Sequence, residues 1–416
     1  MDNSEIIKLV SDGVDRAKAG KALEVFASVA PLHDNDSLPV SSHYAFAWII
    51  YYALHQSPAK DILGRKRLLA RYFSLNVKRP HKQHSMILTE AIRLHGDASA
   101  LSREVPDFRQ KDTPRFSIVR FMELWDFANL RPGDWRRKEN EGKLLPSTVE
   151  KLATAYINEL AAENRPAPEP FMAIARKILE VNSPGANQYA QMGRLCELAG
   201  NREEAREFLR KALLCCPTKP YLWSRLASLL EERQHLKLRV ALLYKALSIP
   251  GPEDFKGRVR LKMAETLADG AACQQAAWEL MQVKNNYERN GWNLPAKYAE
   301  VRRRIPADTL PVDPTPAYRR TESLADDYLV VSLPLLAVAK TYHKAAADKI
   351  DRYGRKRKKP VAWRVTDESG AHYWFEPSAF GLSEDLPIGT KLQIRLFGGK
   401  VVGVYIESGW RIYRGV

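Results

Sequence analysis

At 416 residues the chain is too long for one small core, and at roughly 100 to 200 residues per domain it predicts two to four domains. Its 45% hydrophobic and 27% charged residues are ordinary for a soluble globular protein, and no apolar run reaches the roughly 18 residues of a membrane span, the stretches 44–54 and 328–339 being too short. The net charge of +16 is the outlier: a basic excess of this size concentrates polyanions such as nucleic acid or acidic lipid, which defines a class of partner rather than a fold.

The opening residues MDNSEIIKLVSDGVDRAKAG carry acids where a secretory signal has a basic region and a long apolar run, so a cytoplasmic location is expected. Cys196, Cys215, Cys216 and Cys273 form no Cys-x-x-Cys pair and lie on helical patterns, as reduced, buried thiols do; neither a zinc site nor a cofactor is expected.

From residue 1 to about 304 the apolar period is helical, in segments such as 42–56, 60–73, 85–94, 117–129 and 147–162, with few strand-like stretches. The stretch 124–135, LWDFANLRPGDW, is a helix stop followed by a Pro-Gly turn, with its aromatics pinning the turn to the helices. His81 and His84 form a His-x-x-His after a proline with no carboxylate or cysteine at ligand spacing, and read as a surface loop.

A repeat emerges at Ala186. Counting from it, Tyr189, Met192, Gly193, Cys196, Gly200, Ala205, Leu209, Ala212 and Pro217 fall at positions 4, 7, 8, 11, 15, 20, 24, 27 and 32. Small residues at positions 8 and 20 let two helices approach, and large ones fill the space between them. A second copy from Pro220 gives Trp223, Leu226, Ala227, Leu230, Leu243 and Ala246, with Arg239 where alanine is usual; a third from Gly257 gives Met263, Ala264, Leu267, Ala276, Leu280 and Val283, with Arg260 departing. This register resembles the tetratricopeptide repeat. The resemblance implies an α-solenoid over 184–304, preceded by degenerate helical-repeat or capping structure over 1–183. It also implies a concave peptide groove, whose positions are occupied by Asn187, Arg194, Arg225, Arg258 and Lys262, interspersed with Glu197, Glu231, Glu232 and Glu265. Arginine suits a carboxylate or phosphate there because its fork donates two parallel hydrogen bonds, although a merely solvated face would look similar.

Pro306, Pro311, Pro314 and Pro316 exclude helix and predict an extended proline-rich linker over 305–327. Beyond it the period becomes that of strands: 335–342, 361–365, 372–376, 391–397 and 400–407, the last two joined by Gly398-Gly399. Five short strands within about eighty residues predict a small β-barrel over 328–416.

The stretch 361–380, VAWRVTDESGAHYWFEPSAF, with the acidic, glycine-bearing hairpin 367–370, resembles the centre of a cold-shock domain, an oligonucleotide-binding (OB-fold) barrel. Strand alternation puts Tyr373 and Phe375 on one face and Trp374 on the other, and sets Val361, Trp363 and Val365 against Ala362, Arg364 and Thr366. The resemblance implies that Trp363 and Trp374 are outward base-stacking aromatics; Arg395 and Phe397, on one face of their strand opposite Leu392, Ile394 and Leu396, extend the platform, and Arg364 and Lys340 are further candidate contacts. Glu376, where the family has a stacking histidine, departs from the pattern. Residues 335–416 hold 15 basic and 8 acidic residues, a net of +7, concentrated in RYGRKRKKP, where Arg355, Lys356, Arg357, Lys358 and Lys359 are candidate phosphate contacts.

No nucleotide-binding glycine loop, Gly-x-Ser-x-Gly elbow or His-Glu-x-x-His is present, so no catalysis is expected. The sequence points to a cytoplasmic, non-catalytic adaptor that binds a protein partner through its solenoid and single-stranded RNA or DNA through its barrel. The alternative is a pure protein-interaction scaffold that regulates an enzyme or defence system.

Overall fold

The computed structural model describes residues 1–78, 81–104, 115–230, 233–344, 349–350, 356–357, 361–383, 386–406 and 409–413. The chain divides into two compact units, Met1–Ser183 and Pro184–Val416. No helix among the described residues is long and apolar enough to cross a membrane.

The first unit contains α1 (Asn3–Arg16), α2 (Ala22–Asp34), α3 (His43–Gln56), α4 (Ile62–Ser74), α5 (Lys82–Glu104), α6 (Ile118–Trp125), a hairpin of β1 (Lys138–Asn140) and β2 (Lys143–Leu145), α7 (Thr148–Ala162) and α8 (Glu169–Val181). Local chemistry sets the breaks. Asp2 and Glu5 close a capping box on α1, and Gly20, at φ 98°, separates α1 from α2. Ser147 and Glu150 cap α7 in the same way, and Glu150 also receives the Arg137 guanidinium at 2.5 Å. Trp125 and Trp135 are buried, pinning the 124–135 turn as expected. The β1–β2 hairpin escapes the sequence pattern because every residue in it is exposed, leaving no apolar alternation to read.

His84 corrects the surface-loop expectation. It lies in the first turn of α5, fully buried, stacked 4.4 Å from Trp125 and bonded to the Tyr72 hydroxyl at 2.7 Å. Its aromatic neighbours come from α4 and α6, distant in sequence, which a local motif search does not register.

In the second unit α9 (Ala186–Leu198) pairs with α10 (Arg202–Cys215), α11 (Pro220–Ser228) with α12 (Leu236–Ser248), and α13 (Gly257–Asp269) with α14 (Cys273–Arg289). These three tetratricopeptide-like hairpins place the repeat's large residues in one core: Trp223, Leu226, Leu243, Met263, Leu267 and Leu280 are all buried. Gly193 shows why a small residue is needed at position 8, since a Cβ there would stand 3.2 Å from Leu209 Cγ. The four cysteines carry free thiols, but only Cys196 is buried; Cys215 is exposed at the end of α10, contrary to expectation.

The proline-rich stretch is not an extended linker. After α15 (Ala296–Arg303) it forms α16 (Thr315–Arg319) and α17 (Glu322–Val330). Pro316 sits in the first turn of α16, where no N–H is needed, so it starts a helix rather than forbidding one. The segment is docked: Tyr318 is buried beside Tyr244 and donates its hydroxyl to Glu279 at 2.9 Å, and Lys245 reaches Asp326 at 2.9 Å.

Residues 335–412 form an antiparallel sheet in the order β10-β9-β8-β3-β6-β7, from β3 (Leu335–Lys344), β6 (Ala362–Asp367), β7 (His372–Phe375), β8 (Lys391–Phe397), β9 (Lys400–Ile406) and β10 (Gly409–Ile412); β4 (Lys349–Ile350) and β5 (Lys356–Arg357) pair separately. The expected five-stranded closed barrel is thus a six-stranded half-barrel, curled so that β7 approaches β9. Its own core holds Val338, Trp363, Val365, Phe375, Ile394 and Val404, while Val402 and Ile412 join the helical core. Gly403 permits the close approach, since a Cβ there would meet Val330 at 3.2 Å.

Candidate functional site

The helices α9, α11 and α13 present a run of charges that converge. Arg194 and Arg225 share the Glu197 carboxylate, at 3.4 and 2.5 Å. Lys262, one hairpin further on, feels both Glu197 and Arg225; burial and then the Arg225 charge lower its pKa, Glu197 and Glu265 partly opposing them. The structure therefore brings Arg194, Arg225 and Lys262 onto one surface, with Lys262 Nζ donating to Ser228 Oγ at 2.7 Å. Asn187 and Arg258 stand exposed on α9 and α13. Glu231 and Glu232 lie outside the described residues. Between α11, α12 and α13 a cavity of about 300 Å³ is lined by Ser228, Arg239, Lys262, Glu265, Thr266 and Asp269, with Ala227 and Leu243.

On the sheet, the backbone register aligns Tyr342, Arg364 and Trp374 in a single row across β3, β6 and β7. Trp374 is 49% exposed and Tyr342 47%; their rings meet edge to face at 6.3 Å, and the Arg364 guanidinium lies 5.8 Å from the Tyr342 centroid. Thr341 orients this layer, its hydroxyl oxygen accepting from Arg364 Nε at 3.3 Å. Along the same outer face an open groove of about 1060 Å³ runs past Ala337, Ala339, Thr366, Lys391, Gln393 and Tyr405. The hairpin 367–370 that carries β6 into β7 is fixed by Asp367, whose carboxylate accepts the Ser369 hydroxyl and the backbone N–H groups of Ser369 and Ala371.

Tyr342 is absent from the sequence-derived set for a physical reason. Simple alternation from Val338 and Lys340, both buried, would turn it inward, but a β-bulge between Lys340 and Tyr342 turns it outward. No residue in the strand announces that bulge.

Two expected contacts are corrected. Trp363 is fully buried, not outward: it shares the inner face of β6 with Val365 and packs 5.7 Å from Phe375. Lys340 is 2% exposed, its ammonium lying 4.3 Å over the Trp363 ring and donating to the Leu386 carbonyl, so it cannot meet a phosphate. Arg395 and Phe397 serve the other end of the sheet. Arg395 donates to the Leu333 carbonyl and covers Trp410 at 4.9 Å, and Phe397 packs 6.2 Å from Tyr189 of α9. Arg395 pairs with Leu335, at the opposite end of β3 from Tyr342, roughly 20 Å along the strand. Lys356 and Arg357 form β5; their side chains, and the residues Arg355, Lys358 and Lys359, lie outside the described residues.

A family model described as a domain of unknown function, DUF7017, matches residues 188–317, a span running from α9 into the docked proline-rich segment. Comparison with curated proteins gives no match. Among solved structures, the chain is similar to YrrB, described as a tetratricopeptide-repeat protein with an unusual peptide-binding site, at 20% identity and a TM-score of 0.27, over 37% of this chain and 82% of that one.

Proposed function

We propose that the chain is a non-catalytic adaptor whose three helical hairpins bind an extended segment of a protein partner along α9, α11 and α13. The observation that carries this reading is the convergence of Arg194, Arg225 and Lys262 beside a half-open polar cavity. Lys262 supports it, being half-buried on Ser228 Oγ at 2.7 Å with burial lowering its pKa, in place of full solvation. The reading is tested by selecting displayed random dodecapeptides on the intact chain and measuring their affinity by fluorescence anisotropy. The double variant Arg225→Glu with Lys262→Glu is expected to weaken the selected peptides at least tenfold with an unchanged circular-dichroism spectrum. Undiminished binding would remove the groove from consideration.

A second surface supports a second activity, the binding of single-stranded nucleic acid. It is favoured by the exposed Tyr342–Arg364–Trp374 row, in which two rings and a guanidinium are available to bases and phosphate. Filter binding of a 12-nucleotide oligo(dT) and oligo(U) at 50 and 200 mM salt tests it. No retention at the lower salt, or equal retention by Trp374→Ala with Tyr342→Ala, leaves the chain as a protein-interaction scaffold alone.

A further inference from the structure

Position 20 of the repeat is small wherever two helices must touch, and Ala205 and Ala276 fill it in the first and third hairpins. The second hairpin has Arg239 there, with a side chain only 12% exposed. Its Nη2 donates to Thr266 Oγ1 at 3.1 Å, its Nη1 is 3.8 Å from Asp269, and its buried Nε–H has no acceptor among the described residues. Lys262, facing the same cavity, donates to Ser228 Oγ and has no carboxylate within 4 Å among the described residues.

The acids on the cavity wall are shared with cations from outside it. Glu265 is taken by Lys297 at 2.7 Å, and Asp269 by Arg304. Arg239 therefore holds Asp269 only at 3.8 Å and in competition with Arg304, Lys262 has no carboxylate of its own among the described residues, and a buried N–H without an acceptor among them is a cost that an incoming acceptor would remove.

We infer that the cavity of Arg239, Lys262, Ser228 and Thr266 is a carboxylate-binding pocket that anchors one acidic group of the partner. The inference rests on the protein-binding reading and adds the chemistry that the groove selects. A carboxylate fits better than a phosphate because Glu265 and Asp269 line the same wall and repel a dianion more than a monoanion. The lowered pKa of Lys262 agrees with a site that is completed when an anion enters.

The test uses the intact chain with its lysines ¹³C-methylated, the Lys262 resonance being identified by its loss in Lys262→Arg. Sodium acetate, N-acetylglutamate α-amide, N-acetylglutamine and inorganic phosphate are titrated against sodium chloride at equal ionic strength. The two acetylated compounds separate an acidic side chain from a chain terminus as the source of the group. Acetate and at least one of them should shift Lys262 saturably where chloride does not. Arg239→Ala restores the residue that the register expects, so it should fold, and it should weaken the acetate response at least tenfold. A Lys262 resonance that follows acetate and chloride alike, that responds more strongly to phosphate, or that is untouched by Arg239→Ala overturns the pocket. If the displayed peptides bind while acetate has no specific effect, the pocket falls and the groove stands; if neither binds, both fall.

Discussion

The helical hairpins and the curled sheet encode their surfaces differently. In the hairpins a residue's place follows from a count: the register that puts Trp223, Leu243 and Met263 in the core also puts Arg194, Arg225 and Lys262 on the opposite, charged side. A helix error of one residue turns a side chain by about 100°, and several later positions correct it. In the sheet one inserted residue reverses the face of everything after it. The bulge before Tyr342 does this, so the aromatic row is assembled by an irregularity rather than by the pattern.

The largest effect that could break this contrast is at Trp363. If it belongs to the sheet core, Trp363→Ala costs about 3 to 5 kcal/mol in urea unfolding, whereas Trp374→Ala stays within about 0.5 kcal/mol. Equal costs would mean that the two rings are not on opposite faces. Next comes Glu279, fully buried between Arg260 at 3.0 Å and the Tyr318 hydroxyl. Glu279→Gln should cost about 1.5 to 3 kcal/mol by replacing the charged acceptor of Arg260, which keeps Glu253 at 3.2 Å, and should raise protease sensitivity within 305–330. A smaller effect is expected on ligand affinity, where Trp374→Ala should weaken single-strand binding by about 1 to 3 kcal/mol per stacked base. The smallest is a pH effect of opposite sign in the two regions. Burial raises the Glu279 pKa against the pull of Arg260, so its contribution is greatest in acid and declines as pH rises through the raised value. The Ser369 hydroxyl lowers the Asp367 pKa, so the contribution of the hairpin is complete above the ordinary aspartate range and is lost as pH falls below it. Denaturation midpoints between pH 3 and 7 should therefore lose an acid-side decline in Asp367→Asn and an alkaline-side decline in Glu279→Gln. Parallel profiles would erase the distinction.

What was legible in the chain follows from the range of the forces involved. The small residue at Gly193 and the hairpin at Gly398-Gly399 are local, and the sequence carries them. Trp363 alternates in step with Val365, which points it inward; the outward place that the cold-shock resemblance implies runs against that plainer physical rule. Lys340 failed for a related reason, because a lysine reads as surface until an aromatic ring and a carbonyl, both remote in sequence, are found around its ammonium. The proline-rich segment reads as an extended linker because proline disfavours helix, yet nothing local tells that Tyr318 has a carboxylate waiting 39 residues upstream. On the groove the count located Lys262, but the value of Arg239 emerged only with the cavity it borders.

The docked segment has a mechanical consequence. Tyr318 on Glu279 and Lys245 on Asp326 make it a strut between the hairpins and the sheet, with the loss of chain entropy already taken at folding. A flexible tether would let two surfaces adapt to ligands of many lengths. A strut fixes the span, so a molecule that engages both surfaces at once gains avidity only when its own two contact points match that distance. If both proposed surfaces bind, the segment acts as a ruler, and releasing Tyr318 exchanges selectivity in length for reach.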